Sequence, residues 1–148
     1  MRRIRVLLVD DNDDFLEGVS AWLTSGPGLE LVGVARTGRE ALEKVELLHP
    51  DLVLMDVAMP EINGFEATRR IKSTPGAPPV VLLTFHESET ARVEAWAAGA
   101  DGFVPKTKVT EELMNVIRNL LPDPARSASE KSETTSSKKP GLPRDLTP

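Results

Sequence analysis

Five short apolar runs, kept apart by stretches with helical spacing, constrain this chain more than any other feature. The runs are Ile4–Val9, Leu29–Ala35, residues 52–55, Val80–Thr84 and Gly102–Pro105. Each is bounded by turn residues and is short enough for a fully buried strand. Between them, apolar residues return every three or four positions. Phe15, Val19, Trp22 and Leu23 define a first helix, stopped by Ser25-Gly26-Pro27-Gly28. Thr37 and Glu40 form a capping box ahead of Ala41, Leu42, Val45 and Leu48. Residues 64–73 give a third helix with Phe65 and Ile71 inward, ended by Thr74-Pro75-Gly76. Residues 88–98 give an Ala-rich fourth helix closed by Gly99. Thr110 is expected to cap a fifth, with Leu113, Val116, Ile117, Leu120 and Leu121 as its apolar stripe. Strands alternating with helices imply right-handed βαβ units. The expected fold is α/β, a doubly wound five-stranded parallel sheet with five helices. The fifth strand carries Pro105, which suits an edge position.

The length of 148 residues suits one domain with a sizeable core. That domain is expected to occupy residues 1–121. From residue 122 the composition shifts to Pro, Ser, Thr, Lys and Glu, too polar to offset the entropy of ordering, so 122–148 reads as a disordered tail. With 40% apolar and 28% charged residues the chain is of the globular, soluble class. A formal net charge of −5 offers no basic footprint for nucleic acid. There is no cysteine, which excludes disulfides and thiolate metal sites. The apolar run after Arg2-Arg3 is too short for a signal peptide, and no run reaches the ~18 residues of a membrane span. A cytoplasmic protein without a membrane partner is expected.

Chemistry is expected where the strands end, because ligands of open parallel sheets bind beyond the carboxyl ends of the strands. The first strand runs into Asp10-Asp11-Asn12-Asp13-Asp14, four carboxylates in five residues. The third delivers Asp56, the fourth ends in Thr84, and the fifth leads to Lys106. Three converging carboxylates, Asp10, Asp11 and Asp56, repel one another unless a cation sits among them. A donor set of oxygens alone favours a hard divalent ion, Mg²⁺ first. A hydroxyl and an ammonium beside such an ion suit phosphate oxygens, and an Asp carboxylate can itself accept a phosphoryl group.

These pieces, taken together, resemble the receiver domain of two-component response regulators, with its flavodoxin-like fold. VLLVDDN, LVLMDVAMPEINGFE, VVLLTF and AAGADGFVPK agree with that family in order and spacing, over about residues 4–121. The resemblance implies that Asp56 is the phosphoacceptor. It implies that Asp10, Asp11, Asp56 and the backbone carbonyl of Ala58 surround Mg²⁺, and that Thr84 and Lys106 contact the phosphoryl oxygens. Thr84 and Phe103 would be the switch pair, Phe103 turning inward as Thr84 moves. The implied donor is a histidine kinase or a phosphotransfer protein. The surface of the fourth helix, fifth strand and fifth helix would change on phosphorylation, and would meet an output protein or a second copy in a homodimer. AAGADGFVPK is most similar to regulators carrying a DNA-binding helix-turn-helix, which residues 122–148 cannot build.

Two local departures accompany the resemblance. Phe85 follows the switch threonine where the family commonly has a small residue, and its ring would crowd the phosphoryl pocket. Lys106 is followed by Thr107, where the family often has a cis proline; a cis bond there would cost about 2.5–4 kcal/mol. The alternatives are a receiver-like interaction module working without phosphorylation, a receiver fragment of a DNA-binding regulator, and a Mg²⁺ phosphohydrolase. No lid or second domain favours the hydrolase, and no glycine-rich turn after the first strand favours a dinucleotide fold. The chain is read as catalysing its own phosphorylation and dephosphorylation, not as a conventional enzyme. Trp22 and Trp96 are read as packing residues and His86 as exposed.

Overall fold

The computed structural model describes residues 3–26 and 28–121. The tail of residues 122–148 and Pro27 lie outside the described residues. The elements follow in the order β1 (Ile4–Val9), α1 (Asp13–Ser25), β2 (Leu29–Ala35), α2 (Gly38–Leu48), β3 (Leu52–Asp56), α3 (Gly64–Lys72), β4 (Val80–Thr84), α4 (Glu89–Ala97), β5 (Gly102–Pro105), a 3₁₀ turn (Lys106–Lys108) and α5 (Val109–Leu120). All four strand pairings are parallel, and the spatial order is β2-β1-β3-β4-β5.

The period of two along each strand divides the core into two layers. Leu7, Val9, Val53, Met55, Val80 and Leu82 point to the layer covered by α2, α3 and α4. Val6, Leu8, Leu52, Leu54, Val81 and Leu83 point to the layer covered by α1 and α5. Both faces are buried, which is why the strands read as continuous apolar runs rather than as alternation. Each fully buried Leu or Val contributes about 1.5–3 kcal/mol.

Helix starts are chosen by short polar side chains. Asn12, Thr37, Asn63 and Ser88 accept from the N–H groups of Phe15, Glu40, Glu66 and Ala91, respectively. Glu40 reaches back one residue further than the expected box requires, accepting from the N–H of Arg36 ahead of the Thr37 cap. The expected Thr110 cap is corrected. Here α5 begins at Val109, after Lys108, with no side-chain cap, and Thr110 is exposed inside the first turn. Burial of Val109 in the core and the preceding 3₁₀ turn start the helix earlier than the hydroxyl would. Phe65 and Ile71 are buried as expected, and Trp22 packs half-buried on the α1–α5 layer.

Strand order reverses around β1, which lies between β2 and β3. Loops leaving β1 and β3 therefore depart to opposite faces and leave a crevice at their carboxyl ends. That crevice holds Asp10, Asp11 and Asp56.

Candidate functional site

The polar residues of the crevice come from the ends of four strands, Asp10 and Asp11 both following β1. Asp10 follows β1, is fully buried, and receives the Asn12 N–H on Oδ1 at 2.8 Å. Asn12 therefore caps α1 with its side chain and fixes Asp10 with its backbone. Asp56 ends β3 and is 4% exposed. Lys106 follows β5, and its ammonium donates to Asp10 Oδ2 at 2.6 Å and lies 3.0 Å from Asp56 Oδ1. Burial is the main cause that raises the Asp56 carboxyl above its ordinary range. The Lys106 hydrogen bond opposes this, the Asp10 charge adds to it, and the Ala58 N–H opposes it.

Asp10, Asp11 and Asp56 each bring a carboxylate oxygen within 4.8 Å of the others, with Asp11 exposed and the other two buried. Three ionised carboxylates facing one ammonium leave two negative charges. That balance and the all-oxygen donor set fit a divalent hard cation such as Mg²⁺. Asp11, being exposed, would leave such an ion accessible from solvent.

Thr84 ends β4, is buried, and its hydroxyl oxygen accepts the His86 N–H at 3.0 Å. The His86 side chain is exposed, as expected. Phe103 on β5 is already inward, 8% exposed, with the Arg92 guanidinium 5.4 Å from its ring centroid. Arg92 in turn pairs with Glu87. Phe85 turns outward, 59% exposed, and lies against Lys106 and Phe15. The Lys106–Thr107 bond is trans.

The sequence expectations left out three residues that shape this site. Gly64 opens α3 directly beneath Asp56; a Cβ there would come 2.2 Å from the Asp56 carbonyl oxygen and 2.8 Å from Val57 Cα. Its N–H donates to Val57 O at 2.8 Å, which folds the loop back on the strand end. The Asn63-Gly64 pair after Met59-Pro60 was a turn signal that pointed to it. Phe15 and Arg92 gave no signal, since helical periodicity is equally satisfied by ordinary packing and surface residues.

A family model described as the response regulator receiver domain matches residues 6–118. The response regulator GacA of Pseudomonas viridiflava is 41% identical over 115 residues, covering 78% of this chain and 54% of that protein. A protein-glutamate methylesterase/protein-glutamine glutaminase of Nocardioides sp. is 38% identical over 135 residues, covering 82% of this chain and 37% of that protein. The chain thus spans only about a third to a half of these relatives' lengths. Among solved structures, a LuxR-family two-component response regulator from Aurantimonas sp. SI85-9A1 superposes with a TM-score of 0.76 at 33% identity, covering 88% of this chain and 99% of that one. The response regulator domain of Thermotoga maritima CheB superposes with a TM-score of 0.74 at 32% identity, covering 80% and 96%. The buried acidic crevice, the strand order and the match over residues 6–118 lead to one conclusion: this chain belongs to the response regulator receiver domain family.

Proposed function

We propose that the chain is a phosphorylation-dependent signalling switch in which Asp56 takes a phosphoryl group from a phosphohistidine of a histidine kinase or phosphotransfer protein. The observation that carries this reading is the Lys106 ammonium bridging Asp10 and Asp56 at 2.6 and 3.0 Å inside a buried crevice. In the transfer, an Asp56 carboxylate oxygen forms a bond to phosphorus. The phosphorus–nitrogen bond to the donor imidazole breaks, and its electron pair stays on that nitrogen. Asp10, Asp11, Asp56 and the Ala58 carbonyl would hold Mg²⁺, which when bound supplies neutralisation of the approaching phosphoryl charge. Lys106 then exchanges carboxylate partners for a phosphoryl oxygen, and the Thr84 hydroxyl donates to another. The Thr84 oxygen can keep accepting the His86 N–H while its O–H donates, so a move of Thr84 towards the phosphoryl group would draw the chain after β4 with it. Phe103 and the α4–β5–α5 surface would respond through Arg92, which lies over Phe103 and pairs with Glu87 in that segment. A ligand shifts such an equilibrium only by its difference in affinity for the two states; full reversal from 1:99 takes roughly 5.5 kcal/mol. The output is an interaction with another protein or a second copy at that surface. No helix among the described residues is long and apolar enough to cross a membrane, and a cytoplasmic site of action is consistent with a kinase donor.

The test is intact mass after incubation with a small phosphodonor. One phosphoryl adduct is expected in the presence of Mg²⁺ and none in EDTA. Asp56→Asn is expected to remove the adduct; an adduct that survives this substitution would falsify the acceptor assignment.

A further inference from the structure

Lys106 is held on more than its acidic side. Beyond Asp10 and Asp56, its ammonium lies 4.4 Å from the ring centroid of Phe15 and 4.8 Å from that of Phe85. The two rings meet edge to face, 6.3 Å apart with 71° between their planes. An ammonium within about 6 Å of a ring face is attracted by the ring quadrupole. Phe15 comes from the first turn of α1 and Phe85 from the residue after β4, so two separate elements converge on one cation. Phe85 is 59% exposed, so burial of its own surface does not explain where it sits.

The two kinds of contact respond differently to a divalent ion in the crevice. Carboxylates engaged by such an ion lose their hold on an ammonium, because their charge is neutralised and the two cations repel. Ring faces carry no net charge to be neutralised. With Asp10 and Asp56 so engaged, the rings remain to keep the ammonium directed at the crevice until phosphoryl oxygens arrive.

We propose that Phe15 and Phe85 are positioning residues, an aromatic clamp that holds the Lys106 ammonium in the metal-loaded site. The proposal rests on Asp56 being the acceptor. It gives Phe85 a role other than crowding the pocket. It also ties the clamp to the switch, since Phe85 adjoins Thr84 in the chain.

The test compares Phe85→Leu, which keeps apolar volume but has no ring face, with Phe85→Tyr, which keeps the face. The first readout is the NMR shift of the Lys106 ε-methylene protons in the full chain with saturating Mg²⁺. Upfield ring-current shifts are expected in the wild type and in Phe85→Tyr, and a move towards the free-lysine position in Phe85→Leu. The second readout is the rate of phosphorylation by acetyl phosphate. Phe85→Leu is expected to slow it about threefold to tenfold, with Phe85→Tyr staying within about twofold of wild type. Mg²⁺ affinity, measured alongside, is expected to be equal in all three proteins. Equal rates for the leucine and tyrosine variants, a leucine variant faster than wild type, or unshifted ε-protons in the wild type would each overturn the clamp. An adduct retained in Asp56→Asn would strike the acceptor assignment alone, and the NMR comparison would still decide the clamp.

Discussion

The same chemistry, a carboxylate with basic partners, stands in two settings in this protein. On the outer face of α3, Glu66 is paired with Arg69 at 2.7 Å and Arg70 at 2.9 Å, all three partly exposed. In the crevice, Asp56 is paired with Lys106 at 3.0 Å, both almost fully buried. Glu66 is held below its ordinary range, first by the Arg70 hydrogen bond and then by that of Arg69. Asp56 is pushed above its ordinary range, because burial outweighs the lysine. Pairing in water settles a carboxylate; pairing in a dry crevice leaves it poised, charged at a cost that an arriving cation relieves. The two groups therefore act on stability with opposite sign. The Glu66 contribution is present above its ordinary titration range and is lost as pH falls through its lowered value. The Asp56 contribution is full below its ordinary value of 3.8 and is lost as pH rises through the raised one.

Removing the cation from the buried cluster is expected to have the largest effect. Lys106→Met leaves Asp10 and Asp56 facing each other without an ammonium, at a cost of about 3–5 kcal/mol. The thermal midpoint in EDTA is expected to drop by roughly 10 °C or more at neutral pH. The loss should shrink as pH falls through the raised Asp56 range and that carboxyl takes up a proton. A small, pH-independent change in a urea or thermal titration would mean that water reaches the pair and that the contrast between the regions is overstated.

An intermediate effect of opposite sign is expected for Asp56→Asn. With the poised charge gone and Asp10 still holding Lys106, the variant should be more stable than wild type in EDTA, by about 1 kcal/mol, or a few degrees. The gap is expected to widen with rising pH and to close or reverse when Mg²⁺ binds the wild type. Calorimetry across pH, with and without Mg²⁺, measures it; destabilisation at every pH would show that the Lys106 contact outweighs burial after all.

Glu66→Gln sharpens the comparison from the other side. Exposed pairs are screened and contribute little, so the thermal midpoint at neutral pH is expected to stay unchanged within error. A loss matching that of Lys106→Met would erase the distinction between the two settings.

Much of the crevice was legible because each strand ends where its apolar run ends, so Asp10, Asp56, Thr84 and Lys106 had to meet at one edge of a parallel sheet. The partners they choose there were not legible. That Lys106 bridges two carboxylates 50 and 96 residues away follows from strand order and loop path, neither of which is local. Thr84 bonding to the His86 N–H is a turn detail. The start of α5 went to Val109 rather than Thr110 because core packing outweighed capping preference. Gly64 was passed over because its constraint is a close approach to the Asp56 carbonyl, and a glycine beside Asn reads only as a turn.

The 96-residue span between Asp10 and Lys106 also bears on events at the ribosome. At about 5–20 residues per second, Lys106 is synthesised roughly 5–20 s after Asp10. Through that interval the nascent chain holds β1 and then β3, but not β5 and the turn after it that carries the ammonium. The acidic residues are thus made before the ammonium that pairs with two of them, and β5 must dock beside β4 to bring it there. A growing chain in this way lacks the buried ion pairs of the crevice until its last strand and the turn after it have been made.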